Sequence, residues 1–249
     1  MYIPLTGFTY RGLSPHKFTP VPGVHLSLVR TQNAAPHSST VLRETRMKLY
    51  KYYSLATKAQ MGYAARAIIE REIHCGDPAT FNDPFDCNIA IHLKVYLKKL
   101  GVACFSGEEA DHVLMFSHYG DRHRGIAFVF DVVSDGPIGD LTFLGLGQWV
   151  NYVEHDRLPD LSKCHDSSRA REVVLTKWKK WEYENEYRVL ADLEECYPPP
   201  IRHYERGELV GVIFGLRTPD AHKQTVDEWL CRGQHENVWH KQAQLAADS

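Results

Sequence analysis

The sequence predicts an α+β domain with mixed, mainly antiparallel sheets and flanking helices. Three observations lead there. Segments rich in β-branched and aromatic residues recur along the chain, as in Ile126 to Val133. Helical periodicities fall between some of them without a regular β-α-β rhythm. Neither G-x-G-x-x-G nor G-K-[ST] occurs, which argues against dinucleotide-binding and phosphate-loop sheets.

Length and composition narrow the class further. The chain has 249 residues, 43% of them apolar, enough for a packed core and too apolar for wholesale disorder. A net charge of −2 excludes a globally basic nucleic-acid binder while leaving room for a local basic groove. No apolar run approaches the roughly 20 residues of a membrane span, and Met1 to Tyr10 lacks the pattern of a secretory signal. Six cysteines without a C-x-x-C pair point away from a zinc knuckle or disulfide scaffold. The expectation is a cytoplasmic protein with reduced thiols and no membrane partner.

Residues 1–46 read as an N-terminal arm, partly irregular, and 47–249 as one catalytic-type domain. The first 42 residues hold three basic residues, no acidic one and five prolines, whereas the remainder carries −5.

The elements follow in order. Leu49 to Tyr53 is a short aromatic strand. Met61, Ala64, Ala65, Ile68 and Ile69 keep helical spacing. Ile73 to Cys75 is a brief strand broken by Gly76-Asp77-Pro78. Ile89 to Leu100 fits strand or helix. Val102 to Phe105 and Ile126 to Val133 are strands, with a helix from Ala110 to Tyr119 between them. Trp149 to Val153 is a strand, and Ser168 to Trp181 a helix. Glu186 to Ala191 and Leu209 to Phe214 are strands. Thr218-Pro219-Asp220 has the chemistry of a helix start, with Thr218 as N-cap, and that helix runs to Gly233. Asn237 to His240 begins a last strand.

Four clusters carry side chains with chemical potential. In Leu49 to Ser54, alternation puts Lys51 and Tyr53 on one face and Tyr50 and Tyr52 on the other. Phe81-Asn82-Asp83-Pro84-Phe85-Asp86-Cys87 is a polar turn pinned by two phenylalanines, suited equally to lining a ligand and to shaping a turn. Met115 to Gly125 combines Ser117, His118 and Tyr119 with Arg122, His123 and Arg124. It suits an anionic ligand or a solvated loop. His112, His118 and His123, spaced by six and five, do not share one helical face as metal ligands would, so no metal site is expected. In Trp178 to Leu190, alternation puts Tyr187, Val189 and Ala191 on an apolar face and Glu184, Glu186, Arg188 and Leu190 opposite. Carboxylates beside an arginine can orient a sugar hydroxyl, and equally can form a surface ion pair. Lys179, Lys180 and their aromatic neighbours can contact nucleic acid by charge and stacking.

Together these clusters resemble an uncharacterised bacterial and phage family of unknown function. The shared features are Lys51-Tyr52 on a strand, the F-N-D-P-F-D loop, Ser117-His118-Tyr119 before Gly125 to Asp131, Trp181 to Arg188, and Val212 to Gly215. They span roughly residues 48–240, with Phe116 standing where the pattern has Trp. More distantly, the order of motifs is similar to that of ADP-ribosyltransferase-like folds, which implies an ADP-ribosyltransferase-like core. The resemblance implies Glu186 as the catalytic glutamate with Glu184 two residues before it, and the cluster at 115–125 adds His118 as a further catalytic candidate. The resemblance also implies NAD as substrate, with Lys51, Tyr52, Ser117 and Tyr119 at the matching positions, and the clusters add Asn82, Asp83, Arg124 and Arg188 as binding candidates. The implied partners are NAD, a macromolecular acceptor such as RNA, DNA or protein, and an antitoxin or inhibitor protein, in a toxin or phage-conflict setting.

Two other functions fit the same residues. One is a metal-independent nuclease or phosphotransferase using His118 or His123 with Lys179 and Glu186. The other is a non-catalytic module that binds a nucleotide.

Overall fold

A computed structural model describes residues 45–83, 86, 100–135, 141–159, 167–192 and 201–244. The predicted arm up to residue 44 and the ambiguous stretch at 89–99 lie outside the described residues.

Seven strands form the main sheet. They are β1 (Arg46–Tyr53), β3 (Leu100–Ser106), β4 (Ile126–Val133), β5 (Gln148–Trp149), β8 (Glu186–Asp192), β10 (Leu209–Phe214) and β11 (Trp239–Gln242), in the order β11-β10-β4-β1-β3-β8-β5. All neighbours are antiparallel except β10 and β11. Two small sheets pair β2 (Glu72–His74) with β9 (Ile201–His203) and β6 (Asn151–Val153) with β7 (Thr176–Trp178). The helices are α1 (Lys58–Ile69), α2 (His112–His118), α3 (Ser167–Val174) and α4 (Asp220–Arg232). The mixed α+β class with a mainly antiparallel sheet is therefore observed. No described helix is long and apolar enough to cross a membrane.

The patterning explains the layers. Ile126-Ala127-Phe128-Val129-Phe130 is apolar without interruption, and β4 is a central strand buried on both faces. One face of the sheet, with Leu49, Phe105, Phe128, Phe130, Tyr187 and Val189, packs against Ala64, Ala67 and Ile68 of α1 and Val226, Trp229 and Leu230 of α4. The other face holds a smaller cluster in which Val102 and Leu190 meet Ala170, Val173 and Val174 of α3. The alternation read in β8 is realised: Tyr187, Val189 and Ala191 enter the main core, while Glu186 and Arg188 face the opposite side.

Three expectations are corrected. The helix read to Trp181 ends at Val174, because Thr176-Lys177-Trp178 pairs with β6 as a strand and Lys179–Glu184 winds as a 3-10 turn. Trp149 to Val153 is two strands in different sheets, β5 beside β8 and β6 beside β7, divided at Val150. Thr218 does not cap α4. Its hydroxyl donates to the carbonyls of Gly125 and Gly215, and Pro219 occupies the cap position without a side-chain bond.

The β1–β3 ladder has a single pair, Tyr50 with Ser106. Beyond it, β1 continues along β4, while β3 exchanges two backbone hydrogen bonds with Gly76 at Val102. The sheet opens there, and a cleft lies over the opening.

Candidate functional site

The cleft has a volume of about 440 Å³. Tyr50, Phe81, Met115, His118 and Tyr119 give it largely aromatic and apolar walls, and Lys51, Asp86, Lys177, Glu184, Glu186 and Arg188 supply its charged groups.

The charged cluster is assembled from distant segments. Arg188 on β8 reaches Asp86 through both terminal nitrogens, at 3.0 and 2.6 Å. It also donates to the two Glu186 carboxylate oxygens from Nε at 2.9 Å and from NH2 at 2.8 Å, and to the Val174 carbonyl. Lys177 Nζ donates to Glu184 Oε2 at 2.5 Å and Glu186 Oε2 at 3.1 Å, and lies 3.5 Å from Asp86 Oδ2. All five side chains are nearly fully buried.

Two backbone features bring Glu184 and Glu186 to the same lysine. Glu184 ends the 3-10 turn, and Asn185 adopts a left-handed conformation (φ 40°, ψ 58°) before β8 begins. The Gly107 N–H donates to the Asn185 carbonyl at 2.8 Å. A Cβ on Gly107 would fall 2.6 Å from the Asn185 amide and 2.7 Å from the Trp149 ring, so this close approach requires glycine. The start of β8 is held further by the Glu186 N–H, which donates to the Tyr152 hydroxyl at 2.8 Å.

Charge balance then separates the two glutamates. Three carboxylates (Asp86, Glu184 and Glu186) face two cations (Lys177 and Arg188), an excess of one negative charge in a buried place. Burial opposes ionisation of Glu186, but Arg188 and Lys177 outweigh it and bring its pKa down to about 2. For Glu184 burial prevails: its pKa is raised despite Lys177, with the Glu186 charge adding to the effect. Lys177 is held protonated, because Glu186, Glu184 and Asp86 together overcome its desolvation. The Tyr119 hydroxyl donates to Glu184 Oε1 at 2.7 Å.

The other expected residues fall into two groups. Lys51, Tyr52, Asn82, His118, Tyr119 and Arg188 line the cleft. Tyr52 donates its hydroxyl hydrogen bond to His112 Nδ1 or accepts one from it at 2.5 Å, and meets Phe116 edge-on. Asn82 Nδ2 is 3.5 Å from the Tyr119 hydroxyl. His118 stands at the rim beside Tyr119, Trp181 and Tyr183, with ring centroids 6.1 to 6.4 Å away. Arg188 lines the cleft but is 1% exposed and bound to carboxylates, which makes it a scaffold for Glu186 more than a ligand donor.

Asp83, Ser117 and Arg124 are not among the lining residues. Asp83 is buried within its own turn, where its carbonyl accepts from the Asp86 N–H. Ser117 lies on the exposed side of α2. Arg124 follows three left-handed residues, Asp121, Arg122 and His123, which turn the chain back so that it pairs with Asp121 at 3.1 Å, half exposed. Lys179 pairs with Glu154 on the surface, so the set His118, Lys179 and Glu186 is not gathered in the cleft. Among the described residues no three His, Cys, Asp or Glu side chains gather as a metal site.

Lys177 and Asp86 were missed by the sequence reading. Lys177 fell inside a segment read as helix, although the alternating Thr176 and Trp178 flank it as they would on a strand. Asp86 is one of two aspartates in the F-N-D-P-F-D turn, and local patterning does not say which turns inward.

Comparison of the chain with protein-family models, curated proteins and solved structures finds no match. The functional reading therefore rests on the geometry of this cleft and on the motifs.

Proposed function

We propose that the chain is an NAD-dependent ADP-ribosyltransferase that works through Glu186 and Glu184. The observation that supports this most is a pair of buried carboxylates that share one lysine under aromatic walls, with their pKa values displaced in opposite directions. Pairs of titratable groups with separated pKa values divide labour between charge stabilisation and proton transfer.

The division suits cleavage of a nicotinamide–ribose bond. As that bond breaks, its electron pair moves to the pyridinium nitrogen, and positive charge develops on the ribose as in glycoside cleavage. Nicotinamide leaves neutral and needs no acid. Glu186, ionised and fixed by Arg188, supplies the negative charge that lowers this barrier. The acceptor oxygen or nitrogen then attacks C1′, and its proton passes to Glu184 in its ionised form, whose raised pKa makes it the better base. Tyr119 presents its ring to the cleft while holding Glu184 in place.

The test is mass-spectrometric. Wild-type protein and Glu186→Gln are incubated with NAD and either RNA, DNA or cell lysate. ADP-ribose adducts from the wild type alone support the reading and identify the acceptor class. Absence of adducts in every mixture overturns transfer.

One observation favours a non-catalytic nucleotide-binding module: both Glu186 oxygens already have cationic partners. That reading predicts retention of NAD or another nucleotide without turnover.

A further inference from the structure

Two lysines line the cleft, and their surroundings are opposite. Lys177 has three carboxylates within 3.5 Å. Lys51 Nζ donates to the Cys104 carbonyl oxygen at 3.0 Å and, among the described residues, has no carboxylate within ion-pair distance. It lies 4.9 Å from the Phe105 ring centroid and 6.0 Å from that of Tyr53. Its position is the opening of the main sheet, just past the single Tyr50–Ser106 pair.

The titratable groups that influence Lys51 come from three neighbouring segments. Cys104 lies on β3, His74 and Cys75 at the end of β2, and Glu186 on β8. Burial pushes the Cys75 thiol up to about 11 and the Cys104 thiol higher, so neither offers a negative charge at neutral pH. The Glu186 oxygens are already bound by Arg188 and Lys177. Lys51 is thus left without a committed counter-ion, and burial holds its pKa below the ordinary lysine value. A desolvated lysine without a carboxylate partner is the usual setting for imine chemistry.

We propose that Lys51 is a nucleophilic amine that forms an imine with an aldehyde-bearing sugar held in the cleft. This rests on the reading of the cleft as a ribosyl site, and not on cleavage of NAD. The open-chain form of ADP-ribose supplies such an aldehyde. The lysine nitrogen bonds to C1′, and the C1′–oxygen bond breaks in a second step. Both amine protons end on that oxygen, which leaves as water.

The experiment traps the imine. The full chain is incubated near pH 7 with ADP-ribose, and in parallel with ribose 5-phosphate, in the presence of cyanoborohydride. This delivers hydride to the imine carbon and leaves a stable secondary amine. Peptide mass spectrometry then compares Lys51 with the more exposed Lys179 and Lys180 in the same sample, so no variant has to fold. The expected result is labelling of Lys51 at least about tenfold above those lysines, because a sugar held in the cleft meets that amine at high effective concentration. In Lys51→Arg the adduct on that peptide is lost. Even labelling of all lysines, or labelling of Lys177 in place of Lys51, overturns the proposal. Trapping at Lys51 in a protein that never releases nicotinamide would sink the transferase reading alone. Nicotinamide release with Lys51 unlabelled would sink only this inference.

Discussion

Arg188 and Asp86 meet through two hydrogen bonds, at 3.0 and 2.6 Å, across 102 positions of sequence. The F-N-D-P-F-D turn thereby clamps the strand that carries Glu186. Both partners are nearly fully buried, so removing one strands the other's charge away from water.

Asp86→Ala is therefore expected to destabilise the fold by roughly 3 to 5 kcal/mol, the range for breaking a buried pair from one side. Chemical denaturation should show a large drop in midpoint. Asp86→Asn, which keeps an acceptor for Arg188, should recover part of it. An unchanged midpoint in Asp86→Ala would refute the clamp.

The two glutamates should give the stability profile opposite slopes in acid. The Glu186 pKa is depressed to about 2 from 4.5, so its contribution is present above pH 4.5 and fades as pH falls toward 2. That contribution is on the order of 3 kcal/mol by linkage. The Glu184 pKa is raised, so stability increases as pH falls through its folded value toward 4.5. Denaturation midpoints measured from pH 7 to 2 should lose the lower slope in Glu186→Gln and the upper one in Glu184→Gln. Identical slopes in all three proteins would contradict the charge balance derived for the cleft.

Tyr119→Phe removes the hydroxyl that donates to Glu184. Because that bond favours the ionised form, its loss should raise the Glu184 pKa further. The acidic limb of the rate profile for ADP-ribose transfer should shift to higher pH, and kcat should fall by about tenfold, or about 1.4 kcal/mol. A uniform rate loss without a shift in the limb would assign Tyr119 to binding alone.

Arg124→Ala should leave NAD affinity unchanged within about twofold, because Arg124 pairs with Asp121 at the surface. Calorimetric titration of both proteins checks this. A large loss of affinity would bring Arg124 back to the ligand.

The fold was legible wherever side-chain period alone decides structure. Ile126 to Val133 and Leu209 to Phe214 have the bounds expected from their apolar and β-branched runs. The stretch from Ser168 to Trp181 misled because Trp178 and Trp181 continue the helical stripe, whereas pairing of Thr176 to Trp178 with β6 ends the helix. At the site, Glu184, Glu186 and Tyr119 carried recognisable motif signals. Lys177 did not, since its importance arises from three carboxylates gathered from the loop at Asp86, the end of the 3-10 turn and the start of β8. Arg124 falls outside the cleft lining for a related reason: its neighbours' left-handed backbone turns it toward Asp121, and residue type does not encode that direction.

The most direct measurement is the rate of nicotinamide release from NAD by wild type and Glu186→Gln, both shown to be folded by near-ultraviolet circular dichroism. The account predicts release by the wild type and a loss of about 100-fold or more in the variant, the scale for removing a preorganised electrostatic group. Equal rates in the two proteins, or no release by the folded wild type with RNA, DNA or lysate present, would contradict it.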